Sequence, residues 1–182
     1  MMKKILENAA LMVALLGSVN VWAADAPGAE GTGNLSFLGS VSNGTCVVSG
    51  HNIAHDLGDV NFDDVSAASS WQRLTVYDDN FHVMGCPSSV TEVKITPTAT
   101  ALSGGWGKYG WVENTGTAKG VALHIYDPFG ENWNLSSTKT VSVTKGGVTV
   151  IPVKHEFARS GNGDKPSVGT IDFKIQYSFE FE

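Results

Sequence analysis

The sequence predicts an all-β protein, and three observations carry that expectation. Short runs of alternating apolar and polar residues recur along the chain, Gly- and Asn-rich turn signals separate them, and no window of helical length holds an apolar stripe at helical spacing.

Taken in order, Gly33-Asn34-Leu35-Ser36-Phe37-Leu38-Gly39-Ser40-Val41 reads as one apolar-alternating strand. Its lead-in, Ala29-Glu30-Gly31-Thr32-Gly33, offers so little side chain to anchor it to the chain's own core that this arm is expected to dock elsewhere. Asp63 to Trp71 could hold a helical turn. Val90 to Ile95 sets Val90, Glu92 and Lys94 against Thr91, Val93 and Ile95, and Gly120 to Tyr126 places Val121, Leu123 and Ile125 on one face, so each suits a half-buried strand. Thr140–Thr144 and Val148–Phe157 flank Lys145-Gly146-Gly147, a turn signal, and Pro152 inside the second run predicts an edge position or a bulge. Gly161-Asn162-Gly163-Asp164-Lys165-Pro166 is a loop. From Ile171 to Phe181 every odd position is apolar or aromatic, which makes this the strongest strand of the chain. About seven short strands joined by such turns point to an immunoglobulin-like sandwich.

Residues 1–23 carry Lys3 and Lys4, then an uncharged run from Ala9 to Val19, then Val21-Trp22-Ala23, the layout of a secretory signal peptide with cleavage after Ala23. The apolar run is shorter than the roughly 20 residues that span a bilayer, so no membrane span is expected and the product should be soluble and exported. Of the 182 residues, 159 remain after cleavage, enough for one domain with a sizeable core. Losing Lys3, Lys4 and Glu7 moves the formal charge from −6 to −7, a poor surface for nucleic acid. Cys46 and Cys86 are the only cysteines, and in an oxidising compartment they are expected to form one intrachain disulfide.

Chemistry-bearing motifs are sparse. His51 and His55 stand four apart, but Gly50 and Asn52 beside them suggest a turn and no third metal ligand is evident. His82, His124 and His155 read as ordinary strand residues. Asp56, Asp59, Asp63, Asp64, Asp78 and Asp79 lack the spacing of a calcium loop and read as a solvated acidic edge. Neither Gly-x-Ser-x-Gly nor a recognisable triad is present, so no enzyme, cofactor or metal is expected. Trp106, Tyr109 and Trp111 in a glycine-rich loop could stack on a sugar, although a loop folded back on the sandwich accounts for them more simply. The sites Asn34, Asn43 and Asn134 fit Asn-x-Ser/Thr, a pattern that carries little meaning if the host is bacterial.

Four features together resemble the pilin subunits of the bacterial chaperone-usher fimbriae: the signal peptide; Gly33-x-Leu35-x-Phe37-x-Gly39-x-Val41 followed by Cys46; Pro87 directly after Cys86; and the alternating aromatic C-terminal strand. The resemblance implies residues 24–41 as an N-terminal extension and 42–182 as a pilin domain, a six-stranded immunoglobulin-like sandwich lacking its last strand. It further implies that a periplasmic chaperone lends a strand first and that the arm of a neighbouring pilin then replaces it, after passage through an outer-membrane usher to an extracellular fimbrium. Gly31, Gly33, Leu35 and Phe37 would be the donor-strand residues, and Tyr177, Phe179, Phe181 and Glu182 the chaperone-binding strand. Phe181 stands where the family usually has tyrosine. The different class left open is a secreted carbohydrate-binding immunoglobulin-like module, which would have no use for the arm.

Overall fold

The computed structural model describes residues 31–41 and 46–182, and within 31–41 the side chains of Leu35 and Ser36. The signal-peptide reading of 1–23 and the first part of the arm, 24–30, lie outside the described residues. Among the described residues no helix is long and apolar enough to cross a membrane.

Among the described residues ten strands build two five-stranded sheets. One sheet has the order β3 (Asn52–Val60), β1 (Gly31–Val41), β10 (Ile171–Phe181), β5 (Glu92–Ala99) and β8 (Lys139–Ser142). The other has β2 (Val47–Ser49), β4 (Arg73–Met84), β9 (Thr149–Arg159), β7 (Val121–Tyr126) and β6 (Trp111–Glu113). The two inner faces meet in one core in which Phe81, Ile95, Leu123, Ile151 and Phe173 are fully buried. Each such side chain contributes about 1.5–3 kcal/mol by leaving water. The alternation of Ile171 to Phe181 is realised: Ile171, Phe173, Ile175, Tyr177 and Phe179 are buried and Phe181 is partly so.

The Cys46–Cys86 disulfide is formed and closes a loop with a sequence separation of 40. It joins the approach to β2 to the exit of β4, which pair through Val47 and Met84. The expected helical turn is α1 (Phe62–Ala67), begun by Asn61, whose side chain accepts a hydrogen bond from the Asp63 amide at 2.8 Å, with Asp63 and Asp64 at its positive end.

Two strand readings need correction, and a third holds only locally. β7 is buried on both faces, because Ala122 and His124 are covered by Leu102, Trp111 and Ala158 on the far side of the sheet. The Lys145-Gly146-Gly147 turn joins β8 of one sheet to β9 of the other, so it crosses the sandwich instead of closing a hairpin. β9 is a central strand over most of its length, but at Pro152 it has the edge position the proline predicts. It pairs with Asn80 of β4, while pairing with β7 runs only from Arg159 to Lys154, leaving no β7 partner at the proline.

The aromatic loop folds back on the sheet. Trp106–Tyr109 form one short turn, and Trp71 lies against both Trp106 and Trp111, with ring centroids 4.5 Å apart in each case. Trp111 in turn stacks flat on His124 at 4.3 Å. The rings thus cover one another's faces and seal a second small core with Leu102, Ala122 and Ala158. Among the described residues Trp71 alone, apart from glycines, has a positive φ, 65°. The backbone strain is offset by an indole laid on Gly161, where an added Cβ would come within 2.0 Å of the ring.

Candidate functional site: the strand-accepting groove

Removing β1 from the first sheet in thought leaves β3 and β10 facing each other across a gap one strand wide. Each would present a bare row of backbone donors and acceptors above an apolar floor. β1 fills that gap. It runs antiparallel to β3 and parallel to β10, with Gly33 opposite Ile171, Leu35 opposite Phe173 and His55, Phe37 opposite Ile175 and Ile53, and Val41 opposite Phe179. Leu35 is 1% exposed and belongs to the core. The register slips by one between Gly33 and Asn34 against β3. The arm that the sequence suggested would dock elsewhere therefore lies, in the single chain, in the chain's own sandwich. The reason is the gap: two unpaired edges and an apolar floor hold a strand that carries few anchoring side chains of its own.

The C-terminal residues read as chaperone-binding lie along the other edge of the same gap. Tyr177 and Phe179 point into the core and contact Phe81, each with ring centroids 5.1 Å apart. Glu182 accepts backbone hydrogen bonds from Thr91 and Glu92, and its side chain pairs with Lys94.

Beneath the gap lies a polar chain that the sequence reading missed. His55 of β3 bonds both carboxylate oxygens of Asp79 of β4, at 3.0 and 2.9 Å. Asp79 also receives Nδ1 of His155 of β9 at 3.0 Å, and Nε2 of His155 meets the Tyr177 hydroxyl of β10 at 2.8 Å. Because a carboxylate only accepts, His155 carries its proton on Nδ1 and takes the Tyr177 O–H at Nε2. Burial holds His155 below its ordinary value against the opposing pull of Asp79. Burial also presses the Asp79 carboxyl upward, but hydrogen bonds from His155 and His55 outweigh it and leave the group below the usual carboxylate range. Burial, reinforced by the Asp79 charge, raises the Tyr177 phenol well above normal. The reading of Asp79 as solvated and of His155 as ordinary is thereby corrected. The signal was present in the alternation: His155 stands between Val153 and Phe157 on the inward face of its strand, and Asp79 between Tyr77 and Phe81 on the inward face of its own.

Elsewhere His51 bonds the Val48 carbonyl, and no group of three or more His, Cys, Asp or Glu side chains among the described residues is placed to hold a metal ion.

A sandwich built around a gap for one added strand, with that strand supplied by an N-terminal arm, defines a class of protein completed by strand addition. Over 131 residues the chain is 30% identical to Protein FimG of Escherichia coli (strain K12), covering 70% of this chain and 68% of FimG. Among solved structures it is similar to the P pilus rod subunit PapA, with a TM-score of 0.60 and 12% identity over 76% of this chain and 99% of PapA. It is also similar to a subunit from the structure of a chaperone-usher pilus, with a TM-score of 0.62 and 15% identity over 88% of this chain and 100% of that one. No protein-family model matches the chain. The chain belongs to the chaperone-usher fimbrial subunits, and as such is a structural subunit of a pilus.

Proposed function

We propose that this subunit polymerises by donor-strand exchange, the N-terminal extension of one copy or of a related pilin filling the gap between β3 and β10 of the next. The observation that carries the reading is β1 itself: an N-terminal strand pairs on both sides inside an otherwise complete sandwich and buries Leu35 in the core. The assembled product is an extracellular fimbrium built with neighbouring pilins. Before assembly, a periplasmic chaperone covers the same gap against β10, with Tyr177, Phe179, Phe181 and Glu182 along the contact, and an outer-membrane usher receives the complex. Gly31, Gly33, Leu35 and Phe37 act as the donor residues. Glycine at the first two lets the arm's backbone come close to Val60 and Ile171, their register partners.

The test is Phe37→Asp. A charge in the arm, opposite Ile53 and Ile175, is expected to abolish fibre formation while leaving export and chaperone binding intact. Normal fibres from this variant would refute the assignment.

A further inference from the structure

The polar chain beneath the groove touches both strands that flank the arm. His55 is the register partner of Leu35 on β3, and Tyr177 is the register partner of Gly39 on β10. Both reach across the sandwich, through Asp79 and His155, to β4 and β9 of the opposite sheet. Four strands are thus joined by hydrogen bonds that depend on where the protons sit.

We infer that His55, Asp79, His155 and Tyr177 form an acid-sensitive clamp on the groove, holding β3 and β10 to the opposite sheet near neutral pH and easing exchange of the arm as the imidazoles take up protons. The inference rests on reading β1 as an exchangeable strand. Asp79 carries one negative charge between two imidazoles. A first proton from solvent meets that charge directly, while a second sets imidazole against imidazole across the same carboxylate. A proton arriving at Nε2 of His155 turns that nitrogen from acceptor to donor, so the Tyr177 hydroxyl must turn round to receive a hydrogen bond it formerly gave.

Tyr77 stacks on His55 at 4.2 Å and brings a neutral phenol, with Asp56 beyond it. Asp78 acts on His155 from the same strand as Asp79. Ile125 of β7 and Pro97 of β5, the register neighbours of His155 and Tyr177, are uncharged, and so are Phe81 and Trp133 against the Tyr177 ring and Leu35 of the arm. His55 is the member nearest solvent, its side chain 24% exposed, which gives the proton a way in.

The experiment uses the full exported chain with its own arm in place and a fluorescent synthetic peptide of residues 28–41, whose incorporation is followed by anisotropy from about pH 8 to about pH 5, the range in which imidazoles titrate. The expected result is incorporation at least about tenfold faster at the acid end in the wild type, a difference of about 1.4 kcal/mol in the barrier. His55→Gln should flatten that response, and Tyr177→Phe should speed incorporation near neutral pH. A flat wild-type profile, or an undiminished response in His55→Gln, overturns the clamp while leaving donor-strand exchange standing. Should the variants fail to fold, NMR titration of the wild-type imidazoles decides: protonation of His155 with unchanged hydrogen exchange of the β1 amides overturns it. Failure of the peptide to incorporate at any pH, even when the chain is refolded in its presence, refutes the exchangeable strand and the clamp with it.

Discussion

Leu35→Ala is the most direct probe of whether the arm is part of the folded core. Leu35 is 1% exposed, lies between Phe173 and His55 in register, and belongs to the main core cluster. Truncating a leucine so placed removes its transfer free energy and leaves a cavity that the paired β3 and β10 cannot readily collapse, a loss of roughly 2–5 kcal/mol. For a domain of this size each kcal/mol lowers Tm by about 2–4 °C, so a loss near 3 kcal/mol lowers it by about 6–12 °C. Ser36→Ala is the control: Ser36 is only partly buried and sits opposite Ala54 and Lys174, both exposed, so its change should stay within about 0.5 kcal/mol. Circular-dichroism melts and urea titrations of the three full-length exported chains give the comparison. If Leu35→Ala costs no more than Ser36→Ala, the arm contributes nothing to the isolated fold and the argument from burial fails.

Other outcomes follow from the same packing. Replacing both Cys46 and Cys86 by serine frees a loop of sequence separation 40 and should cost about 4 kcal/mol in urea unfolding by the chain-entropy argument; equal midpoints would refute it. Stability should fall on acidification in two stages. His155, held below 6.5 when folded, contributes stability that is complete above that value and declines as pH falls beneath it, so Tm should begin to drop before the bulk carboxylates titrate; Asp79, held below 3.8, contributes stability lost only at lower pH still, in a second stage. Tyr126 donates to Glu156 at 2.9 Å and is pushed up to about 12 by burial and by that carboxylate, so the stability it adds is present below 10 and lost as pH rises beyond; ultraviolet titration of phenolate checks it. Gly161→Ala drives a Cβ into the Trp71 indole and should red-shift the tryptophan emission while leaving β1 in place.

Much of the fold was legible because two signals agree in it. The alternation from Ile171 to Phe181 marked the C-terminal core strand, and export together with two cysteines marked the disulfide. What stayed hidden depends on pairing at a distance. Alternation along β7 showed Val121, Leu123 and Ile125 facing inward, but nothing local told that Trp71, Trp106 and Trp111 would cover Ala122 and His124 from outside. Asp79 and His155 lie 76 residues apart, and only the antiparallel pairing of β4 with β9 turns two isolated polar residues on apolar faces into partners. The arm was recognised as a strand from its own residues, yet its seat was defined by edges of β3 and β10 that no short stretch of sequence displays.

The direction of β1 is dictated by covalent reach. Cys46 is fixed at the end of the sandwich where β2 meets Met84, and only residues 42–45 link it to Val41, so that link spans at most about 17 Å. Turning the arm around in its own gap would carry Val41 to the Ile171 end, eight positions or about 26 Å away, which the link cannot bridge. A chain closing its own sheet is therefore confined to the parallel sense against β10, the slightly weaker pairing per residue. An arm arriving from a second molecule has no such leash and is free to take the antiparallel sense. Under the proposed exchange, the same four-residue link sets the weaker pairing inside one chain against a stronger pairing open only to the arm of another.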